Sequence, residues 1–221
     1  MHPLVAQIAY DLSADPHVRG ILLTGSSTRG DATQESDLDF WVLLGGVLER
    51  PFRSEKLDGK WVEYHHRNLV QAREHMRKNL TELYSHLDGK ALYDSDGKLE
   101  ELRAEAQALF AAYRLPAEER RALRYWLHGS RRKLEAALRN RDDLRAAYLA
   151  STNAWKILEG LWAACHKPMP PGGAVWAHLH DLQLDEALKV VLRDLFTAGA
   201  LERGQAALAL IEWVLERLET T

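Results

Sequence analysis

Cysteine is almost absent: Cys165 is the only one among 221 residues, so no disulfide can form within the chain. A lone cysteine fits a reducing compartment. Charge of one sign is also missing. Lys and Arg number 29 against 32 Asp and Glu, a net charge of −3, so the broad basic surface of a general nucleic-acid binder is not expected. Long hydrophobic runs are lacking too. The longest, Phe40 to Leu48, is nine residues and contains Gly45 and Gly46, whereas a membrane span needs roughly 20. The opening MHPLVAQIAYDLSADPH has no basic region, continuous apolar core or cleavage site, and is not expected to act as a signal peptide. Internal repeats and low-complexity tracts are absent. A soluble cytoplasmic protein without a membrane partner is expected.

What is present is an ordinary globular composition, 46% hydrophobic and 28% charged, enough to bury a core. The length fits one large domain or two small ones. Pro3 to Leu12 reads as a short amphipathic helix, broken by Asp15-Pro16. Val18 to Thr24, Leu38 to Leu44 and Lys60 to Arg67 read as strands, with a short helical segment after Gly25-Ser26. Glu49 to Gly59 reads as a polar loop. Asn68 to Leu83 has helical spacing, and Ala91 to Tyr93 is a short strand before the turn Asp94-Ser95-Asp96-Gly97.

From Leu99 the pattern is nearly all helical, with helices expected over 99–113, 117–140, 143–166, 183–198 and 202–219. Pro116 stands at a favourable helix start, and Lys167 to Gly173 reads as a rigid connector. The sequence therefore predicts an α/β domain with a small mixed sheet over residues 1–115 and an all-α helical bundle over 116–221. The acid excess lies in the first part, which has 18 acidic and 14 basic residues.

The chemistry concentrates in that first part. Asp37 and Asp39 stand two apart at the start of a strand, so their carboxylates are expected on one face, with Leu38, Phe40 and Val42 on the other. Like charges this close repel, and a divalent cation is the natural compensation. Oxygen ligands favour Mg²⁺ over zinc. Glu63 is the only acid inside the strand Trp61 to His66, where it shares a face with Trp61 and His65. If that strand lies beside the one carrying Asp39, a third carboxylate joins the cluster. Upstream, Gly25 allows close backbone approach to a ligand. The following helical turn offers amides to a phosphate, Ser26 adds a hydroxyl, and Arg29 follows one turn later.

The segment Gly25 to Asp39, GSSTRGDATQESDLD, resembles the signature of the polymerase-beta-like nucleotidyltransferase superfamily. Gly25, Ser26, Arg29, Gly30, Ser36, Asp37 and Asp39 carry the resemblance, and it is nearest to the small bacterial branch of aminoglycoside and lincosamide nucleotidyltransferases and minimal antitoxins. It implies a metal-dependent enzyme moving a nucleoside monophosphate, AMP from ATP, to a hydroxyl acceptor such as an aminoglycoside. Asp37, Asp39 and Glu63 would hold two Mg²⁺ ions, and Gly25, Ser26, Arg29 and Ser36 would hold the nucleotide. The helical domain would shape the acceptor pocket, and a homodimer is compatible with it. Glu63, or more weakly Glu159, would act as general base.

Other readings stand beside these. An antitoxin-type enzyme would modify a protein or RNA; the toxin pattern Arg-x(4–6)-His is not met by Arg124 and His128. A non-catalytic nucleotide-binding module is a different class. His65-His66 point to opposite faces and are not expected to share an ion, although His65 borders the site. His178 and His180 are expected to be surface histidines, and Asp31 a capping or solvent residue. Arg131-Arg132-Lys133 reads as a solvated helix face, with one of these or Lys156 the alternative partner for a triphosphate. Acids such as Glu135, Asp142 and Asp143 interrupt this charge and disfavour nucleic acid. The aromatic residues of the helical part are expected to be mostly core, with one or two stacking on an acceptor or base.

Overall fold

A computed structural model describes residues 3–219. It divides into two compact units. One is the chain up to Ala112 together with Pro170–His178; the other is Tyr113–Met169 together with the chain from Leu179. The segment Pro170–His178, expected to serve partly as a connector, thus belongs to the first unit.

In the first unit, α1 (Pro3–Ser13) precedes β1 (Val18–Thr24), a single helical turn α2 (Ser26–Arg29) and β2 (Leu38–Leu44). Then come β3 (Arg53–Leu57), β4 (Lys60–Asn68), α3 (Leu69–Lys78), α4 (Leu80–Asp88), β5 (Lys90–Asp94) and α5 (Lys98–Ala112). The strands form one mixed sheet in the order β3-β4-β2-β1-β5. β2 and β4 run parallel, and the other pairings are antiparallel.

Both faces of the sheet are covered, so its central strands are nearly continuous in apolar residues. Alternation assigns Leu38, Phe40, Val42 and Leu44 to one face, where Val5 and Ile8 of α1 pack with them. Trp41 and Leu43 point to the other face, against Ala72 and Met76 of α3, Leu83 of α4 and Leu102 of α5. Asp39 has the same parity as Trp41, so the chain directs it to this second face. Phe40, fully buried at 0% exposure, anchors the strand between these two residues. Phe40→Ala is expected to cost about 3–5 kcal/mol of stability, read as a lower denaturant midpoint with an unchanged slope.

Two expectations need correction. The stretch Glu49 to Gly59 contains β3, an edge strand paired with β4. Its residues are mostly exposed, so it shows no hydrophobic alternation. The signal that reveals it is Asp58-Gly59. With φ values of 49° and 82°, these residues make the tight turn that suits a two-residue hairpin. The helix expected over Asn68 to Leu83 is instead two helices. Asn79 has extended backbone angles, φ −128° and ψ 111°, and its side chain accepts from the Thr81 amide to start α4. Apolar spacing continues through the break and hides it.

The second unit is all helical: α6 (Ala117–Arg139), α7 (Asp143–Ala164), α8 (Glu186–Thr197) and α9 (Ala200–Glu219). Leu127, Leu134, Ile157, Leu161, Trp162, Leu192 and Leu210 are buried in it. Asp142 and Asp185 cap α7 and α8 by accepting from the Arg145 and Leu188 amides. Among the described residues, no helix is long and apolar enough to cross a membrane.

Candidate active site

The parallel pairing of β2 with β4 sets Asp39 directly opposite Glu63, and Trp41 opposite His65. Opposed residues share a face, so two carboxylates meet at one edge of the second sheet face. Ligand atoms of Asp39, Glu63 and His65 all lie within 4.8 Å of one another. Glu63 Oε2 is 3.6 Å from His65 Nε2. The His65 ring stacks on Trp41 at 4.7 Å, and the Arg67 guanidinium covers the Trp41 ring at 5.3 Å. Arg67 in turn donates to the buried Glu82 at 2.8 Å. The acids therefore rest beside a stacked and tethered aromatic layer.

The electrostatics are unfavourable in the bare protein. The Asp39 carboxyl is pushed up from 3.8 to about 6, first by burial, then by the charges of Asp37 and Glu63, with Arg29 opposing. Burial lowers the His65 value below its ordinary 6.5, against the pull of Glu63. At neutral pH the imidazole is therefore largely uncharged and does not neutralise the acids. Two close carboxylates with a third acid alongside are oxygen donors that fit a hard divalent cation, and the neutral His65 ring nitrogen adjoins them as a softer donor.

Asp37 stands one residue ahead of β2, and it is exposed. Its charge acts on Asp39, but the tight group contains His65 in its place. His65 was read from sequence as bordering the site, and its ring is part of the cluster.

The loop before β2 is organised by its own side chains. The Thr33 amide donates to Ser36 Oγ at 2.8 Å, and Lys60 Nζ donates to the carbonyls of Gln34 and Ser36. The Ser36 hydroxyl thus accepts a loop hydrogen bond. It does not line the pocket beside Asp39.

Gly25 does line that pocket, together with Thr24, Arg29 and Asp39. Its φ is 75° and its ψ −159°, a region nearly closed to other residues. A Cβ there would fall onto the Asp39 carboxylate. Ser26 follows at the start of α2, half-buried, with its carbonyl accepting from the Gly30 amide. Only four residues long, α2 offers local amides rather than a developed macrodipole.

Arg29 reaches the pocket and is mostly shielded, with Asp31 at 3.5 Å and Asp88 at 3.9 Å. It also donates to the Gly173 carbonyl at 3.4 Å. Asp31 is exposed, as expected of a solvent-facing residue, and also pairs with Arg29.

Sequence reasoning missed the far wall. Tyr84, Ser85 and Asp88 of α4 line the pocket with Pro171, Gly173 and Ala174. His178, expected at the surface, is instead part of this wall's surroundings. Its side chain is only 12% exposed, and its Nε2 lies 2.8 Å from Asp88 Oδ2. Nothing local in the sequence announces this pair, whose members stand 90 positions apart. His180 is exposed, as expected, at 76%. Glu159 is engaged by Lys156 at 2.6 Å in the second unit.

The first unit is thus an α/β domain whose mixed sheet carries facing carboxylates beside a glycine turn. Residues 5–96, a segment that holds all five strands, match the nucleotidyltransferase domain family. A solved nucleotidyltransferase-like protein from Exiguobacterium sibiricum 255-15 aligns with a TM-score of 0.46 and 16% identity, covering 95% of this chain and 72% of that one. No curated protein matches the chain.

Proposed function

We propose that this chain transfers a nucleoside monophosphate, AMP from ATP, to a hydroxyl acceptor in a Mg²⁺-dependent reaction. The observation that carries the reading is the register pairing Asp39 with Glu63, with Asp37 close enough to raise the Asp39 value. Asp37, Asp39 and Glu63 would hold the cations. A bound divalent cation supplies Lewis acidity and charge neutralisation at the phosphates.

The remaining work falls to the chain. Gly25 and Ser26 hold the triphosphate close to Asp39, and Arg29 turns part of its charge toward it. Trp41 and His65 fix the position of the acids by stacking. In the transfer, the acceptor oxygen bonds to the α-phosphorus as the bond to the bridging oxygen breaks and pyrophosphate leaves. Glu63 receives the acceptor proton. The acceptor classes to be tried are aminoglycoside-like small molecules, proteins and tRNA.

Calorimetric titration with ATP, with and without Mg²⁺, tests the reading alongside an acceptor screen scored by pyrophosphate release. Metal-dependent ATP binding is expected, with pyrophosphate released for one acceptor class and both lost in Asp37→Ala. ATP binding that ignores Mg²⁺, with no pyrophosphate from any acceptor, would sink it in favour of a binding module.

A further inference from the structure

In the second unit a cleft of about 800 Å³ opens beside α6 and α7. Three aromatic side chains line it: Tyr125, 82% exposed, Trp126, 51%, and Tyr148, 65%. Three cations, Arg132, Lys133 and Arg145, line it too, and no acid does. All three are exposed, and none forms an ion pair among the described residues.

The acids that interrupt the charge in sequence are accounted for. Glu135 is engaged by Arg131 at 3.4 Å and Arg139 at 4.0 Å. Asp142 caps α7 through the Arg145 amide at 3.0 Å, and Asp143 lies in the first turn of α7, where a carboxylate suits the helix dipole.

The aromatic wall is also prearranged. Trp126 Nε1 donates to Asn153 Oδ1 at 3.0 Å, and Ser130 Oγ donates to the same oxygen at 2.6 Å. Asn153 is buried and donates to the Leu149 carbonyl at 2.7 Å. The half-exposed indole is therefore held by a buried amide. A large ring kept partly in water by such an anchor is a stacking platform rather than a core residue out of place.

From this pairing of unneutralised cations with oriented aromatic faces, we infer that the cleft binds a single-stranded nucleic acid. Bases stack on Trp126, Tyr125 and Tyr148, while Arg132, Lys133 and Arg145 meet the phosphates. Unpaired bases are required, because a duplex hides the faces that the rings would meet. The charge favours a polyanion and opposes a polycation such as an aminoglycoside at this cleft. The inference rests on the second unit alone and stands or falls independently of the proposed transfer reaction.

Fluorescence anisotropy with labelled RNA and DNA strands of about 12 nucleotides tests it on the full chain. Binding is expected for either strand type, the tighter one naming the source. The logarithm of affinity should fall with the logarithm of salt with a slope of about −2, from roughly 0.7 per contacted phosphate. Tyr148→Ala should weaken binding about tenfold, and Arg132→Ala/Lys133→Ala/Arg145→Ala should remove most of the salt dependence. These side chains are exposed, and circular dichroism checks that the variants remain folded. The inference is overturned if the same sequence binds as well in duplex form, or if the triple variant binds like the parent. It is also overturned if sedimentation shows a dimer that the triple variant dissolves, which would assign the cleft to a second copy.

Discussion

Asp39→Asn is expected to abolish transfer while making the metal-free protein more stable. The two effects share one cause. The carboxyl is raised from 3.8 to about 6 because burial and two neighbouring acids oppose its charge. A raised value means that its contribution to stability is fully present below about pH 4, while the carboxyl is protonated. That contribution is lost as pH rises through about 6. Above this, the folded state carries an ionised group that it disfavours, and the amide of Asn removes the burden. The full shift would correspond to roughly 3 kcal/mol, and solvent screening of the partly exposed carboxylate reduces it to about 1–2 kcal/mol.

Thermal unfolding at pH 7.5 in a chelator should therefore rise by about 2–6 °C in the variant. The gain should vanish near pH 4, where the parent carboxyl is itself neutral. Added Mg²⁺ should stabilise the parent and leave the variant unmoved. Turnover should fall by at least about 100- to 1,000-fold, the scale of losing a group that stabilises transition-state charge. A variant that melts lower than the parent in chelator at pH 7.5 would contradict the electrostatic account. Retained turnover would contradict the catalytic one.

Gly25→Ala is the second large loss. The methyl would occupy the position of the Asp39 carboxylate, on a residue whose φ is 75°. Either the strand end or the acid must move, and a displacement near 1 Å at a reacting centre can cost about 100-fold in rate. Gly97 shares the φ of 75° without the encounter, because a Cβ there meets nothing within 4 Å. Gly97→Ala should show only backbone strain of about 1–2 kcal/mol and near-parental turnover. If the two variants lose equal activity, strain in the backbone and not the encounter with Asp39 would be the cause.

Much of this site was legible because strand parity carries over to three dimensions. Asp39 and Glu63 could be matched once both were placed on strands, and the glycine turn marked the loop that faces them. His65 was within reach by the same rule, standing two residues from Glu63 as Trp41 does from Asp39. Asp37 stands one residue ahead of β2, where strict alternation does not reach, and its tie to the site is the charge it exerts on Asp39. The edge strand β3 lacked an apolar face, and α3 and α4 shared one apolar rhythm across Asn79. Asp88, Gly173 and His178 were out of reach, since only tertiary folding brings them to Arg29 and to each other.

The return of Pro170–His178 to the first unit sets an order of events during synthesis. The sheet and its acids can assemble once β5 has emerged, yet Asp88 still lacks His178 and Arg29 still lacks the Gly173 carbonyl. Both arrive only after α6 and α7 have been made. A fragment ending near Ala112 would be a sheet with an open wall, and its pocket would be completed by adding back a peptide spanning 170–178. The first part of the helical unit, 113–169, thus interrupts the first unit in time, and the far wall of the pocket is the last part of that first unit to be written.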